Sequence, residues 1–150
     1  IAQPLVTALS TSSSAATLPV SMDAAQNRFR VSSEVSSVVL PLGATVNMDG
    51  TALFEGVAAV FLAQMFGIAL DPITITTIFL VAMMASIGAP GIPSGSMAGM
   101  QLVLLAIGIP LEAIALLLMI ERPLDTFRTA VNVQGDLVGS LVVNKRVTLQ

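Results

Sequence analysis

An all-α membrane protein of helical hairpins and interrupted helices is predicted by three features of the sequence. The 150 residues are 55% hydrophobic and only 10% charged, against about 25% charged in soluble domains, and mean hydropathy is +0.91. From Pro72 to Leu111 there is no ionisable side chain at all, about twice the roughly 20 residues with which a helix crosses a bilayer. Clusters of Gly, Pro, Ser and Asn interrupt the apolar runs from within. The absence of Cys, His and Trp excludes disulfide staples, zinc centres, thiol nucleophiles and histidine-based acid–base chemistry. A net charge of −3 with 6 Lys+Arg argues against a nucleic-acid partner. The chain begins at Ile1 in mid-pattern, with no basic segment before an apolar run. It is expected to be a piece of a longer, multi-pass protein.

The first element covers 1–27. Apolar, small residues run from Ile1 to Leu9 and from Ala15 to Met22, around Ser12-Ser13-Ser14. A serine run fits a flexible linker and a hairpin tip equally well. The second element covers 34–70. Its centre, Gly43-Ala44-Thr45-Val46-Asn47-Met48-Asp49-Gly50-Thr51, is poor in helix formers and rich in residues suited to irregular backbone. Each flank is too short to span, which favours one discontinuous transmembrane helix over a loop between two.

The third element, 72–109, is broken at Gly88-Ala89-Pro90-Gly91-Ile92-Pro93-Ser94-Gly95-Ser96, where two prolines and three glycines end a helix and start a turn. Arms of about 16 residues span only about 24 Å. That suits a re-entrant hairpin, whose irregular backbone must be enclosed by protein or a wet cavity. The fourth element, 111–146, is a last transmembrane helix in which Pro123 is expected to kink or weaken the helix. Basic residues set the orientation. Arg28 and Arg30, and Lys145 and Arg146, mark cytoplasmic connectors, so the 88–96 tip enters from outside.

The last helix carries the chemistry. Glu121, Asp125, Arg128, Asn132 and Asp136 are spaced 4, 3, 4 and 4 residues apart. They fall within an arc of about 80° on a face about 22 Å long. A charge at mid-membrane costs at least about 2.5–3.5 kcal/mol, so such a stripe persists by pairing or by lining a polar cavity. Mutual pairs such as Asp125–Arg128 acting as interhelical glue are the bland alternative, but that leaves Asp136, Asp49 and Asn47 without cationic partners. Counting Asp49, Glu121, Asp125 and Asp136 against Arg122 and Arg128 leaves an acidic surplus that bound cations neutralise. Oxygen-rich donor sets suit hard cations, with Na⁺ the natural candidate. Arg128 can grip a carboxylate with two parallel hydrogen bonds, and Asp125, one turn earlier, can hold an ammonium. The pair fits a zwitterion with an extra carboxylate. Arg122 projects to one side of the stripe, either snorkelling or pairing with Glu121. Broken helices add exposed backbone dipoles at mid-membrane. This combination fits a secondary transporter better than an enzyme, which needs an activated nucleophile or acid–base group.

At these residues the chain resembles the glutamate/aspartate transporter family, the dicarboxylate/amino acid:cation symporters. The matching stretches are Ser12 to Pro19, Leu42 to Thr51, Ala85 to Pro93, and Asp125-x-x-Arg128-Thr129-x-x-Asn132-x-x-Gly135-Asp136. They occur in family order and cover nearly the whole chain. The resemblance implies an elevator-type, Na⁺-coupled carrier of acidic amino acids, homotrimeric, multi-pass in the lipid of a plasma membrane, here a bacterial inner membrane. This chain is then the C-terminal part of its transport domain. By the family pattern Asp125 binds the substrate amino group and Arg128 its side-chain carboxylate. Thr51, Thr129 and Asn132 add polar contacts, with Ser12, Ser13 and Ser14 from the first tip and backbone at Gly91, Ile92, Pro93 and Ser96 from the second. One Na⁺ takes Asn132, Asp136 and carbonyls of Gly43 and Asn47. Another takes Thr45, Met48 and carbonyls of Ser86, Ile87 and Ala89. A third takes Asp49 with the Asn47 side chain and an earlier helix.

Departures from the family pattern are Glu121 in place of the usual Asp, the Arg122-Pro123 pair, Ala15-Ala16 in the first tip, and Pro90 with Ser94-Gly95-Ser96 in the second, which implies a stiffer gate. Proton coupling and C4-dicarboxylate transport are the alternatives within the family. From other classes come an intramembrane aspartyl hydrolase using two of Asp49, Asp125 and Asp136, and a purely structural membrane subunit.

Overall fold

The computed structural model describes residues 1–148, and among them there is helix but no strand. Helix α1 is Ala2–Thr11 and α2 is Ser14–Asp23, continued by a π-helical turn at Ala24–Arg28. The reversal between α1 and α2 takes only two residues. Ser12 adopts the left-handed conformation (φ 49°) while its N–H closes on the Ala8 carbonyl. The Ser13 side chain then caps α2 by accepting the Ala16 N–H at 3.1 Å. Serine suits this position because its oxygen satisfies an orphan donor of the first turn.

Helix α3, Ser33–Val46, and helix α4, Asp49–Met65, are separated only by Asn47 and Met48. Both residues have left helical backbone angles, with ψ at 74° and 52°. Alone, the two helices would be about 21 and 26 Å long, short of the roughly 30 Å hydrocarbon core. Together, Ser33–Met65 is the one stretch among the described residues long and apolar enough, by length and composition, to cross a membrane.

Helix α5, Pro72–Ser86, starts on a strong signal. Pro72 occupies the first turn, and Asp71 accepts the Thr74 N–H at 2.7 Å. That backbone hydrogen bond holds the exposed Asp71 carboxyl below the ordinary carboxylate range. Helix α6, Ser96–Ala106, returns against α5 after an irregular tip in which Gly88 (φ 143°) and Ser94 (φ 61°) reverse the chain. Helix α7, Ile114–Thr148, follows a short 3₁₀ turn and runs 35 residues.

Helix α7 is the axis of the molecule and packs against α1, α2, α3 and α4. Leu62, Met100, Leu104 and Leu117 form one core where α4, α6 and the start of α7 meet. Ala8, Leu40, Val133 and Leu137 form another at the far end of α7. Pro123 lies inside α7, yet the helix continues through it. Proline removes one backbone donor at this point without ending the helix. Large apolar side chains cover much of the outside, with Ile73 at 77%, Phe127 at 66% and Met119 at 78% exposure. Contiguous apolar surface of this kind faces lipid or further protein rather than water.

Candidate functional site

The polar stripe of α7 faces inward. Glu121, Asp125, Arg128, Thr129, Asn132 and Asp136 are each no more than 6% exposed. Arg128 lies at its centre. Its Nη2 donates to Asp125 Oδ1 and, at 3.2 Å, to Glu121 Oε1. Its guanidinium carbon sits 4.7 Å from the centroid of the Phe54 ring, a cation–π contact. Its Nη1 is buried with no hydrogen-bond partner. These pairs lie within one helix, so they are not glue between helices.

Both helix-hairpin tips come to this stripe. The Ser94 N–H donates to Asp125 Oδ2 at 2.9 Å, and its hydroxyl donates to Glu121 Oε2 at 3.1 Å. The two tips also bind each other. The Gly91 carbonyl accepts the Ser13 hydroxyl at 2.7 Å and the Ala15 N–H at 3.1 Å. Gly91 is required there, since a Cβ would lie 2.9 Å from the Ala44 carbonyl oxygen. Between the tips, α4 and α7 is a small cavity bordered by Ser12, Ser14, Thr51, Gly91, Ile92, Ser96, Asp125, Arg128, Thr129 and Asn132, with Met48 and Ala89. Its volume of about 10 Å³ is about that of one water. Ser13 stands behind this wall, bonded to Gly91. Pro93 is exposed and does not border the cavity.

The break between α3 and α4 lies beside the same stripe. Asn132 Oδ1 accepts the Gly50 N–H at 2.8 Å, capping the start of α4. Its amide donates to Thr51 Oγ1 and to Met48 Sδ, each at 3.2 Å. Asp136 Oδ1 accepts the Asn47 side-chain amide at 2.9 Å. A Cβ on Gly43 would overlap the Asp136 carboxylate, and one on Gly135 would lie 2.7 Å from Asn47 Nδ2 and 3.3 Å from Asp49 Oδ2. Glycines at 43 and 135 therefore let Asn47, Asp49 and Asp136 converge. No group of three or more His, Cys, Asp or Glu placed to hold a metal ion occurs among the described residues. The set offers carbonyls, amides and one or two carboxylates, oxygen donors of the kind that suit hard cations.

The other donor set is less assembled. Thr45 is exposed and its hydroxyl turns back to the Leu42 carbonyl at 2.9 Å. The Ser86 hydroxyl donates to the Met83 carbonyl, while its own carbonyl accepts the Gly88 and Ala89 N–H groups. Ile87 is exposed, Ala89 is buried, and Met48 sulfur faces Thr51 and Asn132 rather than Thr45.

Arg122 is exposed and makes no ion pair among the described residues, and Asp49 is exposed. The buried ionisable groups are Glu55, Glu121, Asp125 and Asp136 against Arg128 alone, so the acidic surplus is larger than the sequence count gave. Glu55 is fully buried, its carboxylate against Gly99 of α6, with no hydrogen-bond partner for either oxygen. Sequence reasoning missed it. The signal was one acid four residues after Thr51 inside an otherwise apolar run. The second tip was expected to contribute backbone, and Ser94 does so through its N–H, but its hydroxyl bond to Glu121 and the Phe54 ring over Arg128 have no signal in the sequence.

The chain matches the Sodium:dicarboxylate symporter family over residues 1–146. It is 49% identical to Excitatory amino acid transporter 3 of Mus musculus over 145 residues, which is 97% of this chain and 28% of that protein. It is 50% identical to Excitatory amino acid transporter 2 of Mus musculus over 143 residues, 95% of this chain and 25% of that protein. Similarity extends to the Putative sodium-dependent excitatory amino acid transporter glt-4 of Caenorhabditis elegans, at 46% over 145 residues, 97% of this chain and 29% of that protein. The chain thus spans between 25% and 29% of the length of these relatives, which are transporters and not enzymes.

Proposed function

Because the chain belongs to the sodium:dicarboxylate symporter family, we propose that it forms the C-terminal part of the moving, elevator-type transport domain of a carrier that couples uptake of aspartate or glutamate to Na⁺. The observation that carries this reading is the buried Asp125–Arg128 pair, set where two hairpin tips meet. A cation and an anion one turn apart match an amino acid that bears a second carboxylate. Asp125 takes the ammonium, now represented by the Ser94 N–H. Arg128 takes the side-chain carboxylate, and Thr51, Thr129 and Asn132 complete the wall. The tips at 12–14 and 88–96 are read as re-entrant, the second as the gate, which must lift because the cavity holds about one water. Asp136, Asn132, Gly43 and Asn47 supply one Na⁺ position and Asp49 with Asn47 another. Thr45, Met48 and the 86–89 carbonyls supply a further one once the second tip rearranges. In the full-length protein this unit belongs to a multi-pass homotrimer.

Radiolabelled aspartate uptake by the full-length protein in vesicles tests the reading. A Na⁺ gradient should drive it, and succinate or alanine should compete poorly. Equal competition by either, or uptake indifferent to Na⁺, would reverse the assignment. Glu55 favours one addition, a proton travelling with the sodium. A carboxylate buried without a partner is costly to keep charged, and a bound proton removes that cost. Glu55→Gln should then flatten the dependence of uptake on pH while preserving aspartate binding.

A further inference from the structure

Among the buried charged side chains around Arg128, Glu121 has no part in the proposed substrate and ion sites. Glu121 lies two helical turns before Arg128, about 10.5 Å along the axis. Long side chains lean toward the N-terminus of their helix, so the guanidinium reaches back toward it. Glu121 Oε1 meets Arg128 Nη2 at 3.2 Å, and Oε2 accepts the Ser94 hydroxyl at 3.1 Å. One carboxylate thus joins the cation of α7 to the tip between α5 and α6. An aspartate here, one methylene shorter, would leave at least one of these contacts open from the same backbone position.

The guanidinium is half committed. Nη2 serves Glu121 and Asp125, while Nη1 is buried and unpartnered. A guest carboxylate seeks two parallel donors from such a fork. To obtain them it must displace Glu121 from Nη2, and to find space it must free the Ser94 hydroxyl from Glu121.

Resting on the acidic-substrate reading, we infer that Glu121 is an internal rival of the substrate carboxylate. In the empty carrier it holds Arg128 and latches the tip, and the entering acidic side chain displaces it. Two effects follow from removing its charge. Substrate binds more tightly, because a competitor has gone. The empty carrier loses a bond that closes the tip, so its return slows, whereas substrate exchange bypasses that return. A residue that merely braced Arg128 would behave oppositely, and its loss would weaken binding.

The test uses the full-length protein, purified and reconstituted, with aspartate binding at saturating Na⁺ measured beside net uptake and exchange. Glu121→Gln should lower the aspartate Kd about tenfold, the scale of one charge-assisted hydrogen bond. It should lower the exchange KM in parallel and reduce net uptake relative to exchange. Glu121→Asp should move Kd the same way by less. Ser94→Ala, which removes only the hydroxyl link, should slow net uptake with a smaller change in Kd. If Glu121→Gln does not fold, the other two variants carry the test. A Kd unchanged or raised in the folded Glu121 variants overturns the inference and leaves the function intact. A parent protein that binds no acidic amino acid overturns both.

Discussion

Arg128 is held on three sides, by Asp125, by Glu121 and by the Phe54 ring. Arg128→Ala should weaken aspartate binding on the order of a hundredfold, since truncating one partner of a buried charge pair costs about 2–5 kcal/mol. Na⁺ binding measured without substrate should survive, and equal loss of both would refute the division of roles. Gly43→Ala pushes a methyl into the Asp136 carboxylate, so the opposite split is expected, with the Na⁺ concentration for half-maximal uptake rising several-fold and little change in aspartate affinity at saturating Na⁺. The stripe that holds these groups was legible because a helix repeats its face every three or four residues, and 121, 125, 128, 132 and 136 obey that repeat. The burial of Glu55 was not legible. A single acid in an apolar run gives no period, and only the approach of Gly99 on α6 decides that it is buried.

The serine run at 12–14 shows where local sequence stops informing an element. Serines serve linkers and caps alike. What makes this run a tip is the left-handed Ser12, the cap from Ser13, and a Gly91 carbonyl 78 residues away that accepts from it. Gly91→Ala should pry the tips apart, because its methyl would meet the Ala44 oxygen. Faster amide hydrogen exchange at Ala15, whose N–H binds Gly91, is the readout. At the start of α5 the reverse holds: Asp71-Pro72 is a helix start readable by eye. Because its folded pKa lies below the ordinary value, Asp71 stabilises the α5 terminus above roughly pH 4. That contribution is lost as pH falls through the lowered value. Protection of the Thr74 amide should therefore fade at acid pH and be low at every pH in Asp71→Ala. Pro123 lies inside α7 and does not end it.

Across the whole molecule, composition settled the environment and topology placed the site. Exposed Phe61, Phe79 and Phe127 belong to a protein surrounded by lipid or sister helices, as 10% charge implied. The buried leucines lie on α3, α4, α6 and α7. Leu117→Ala and Leu137→Ala, in the two separate cores, should each lower stability by about 2–5 kcal/mol. Unfolding in detergent measures this, and because the two cores share no neighbours the double variant should show additive loss. One rod, α7, carries both Arg128, the proposed solute contact, and Asp136, the proposed ion ligand, about two turns apart along its axis. Whatever tilts or slides that rod hauls both stations as a single piece of freight. Spin labels flanking residues 121 and 136 should therefore report one unvarying separation through the working cycle, while either label measured against a stationary part of the assembly wanders.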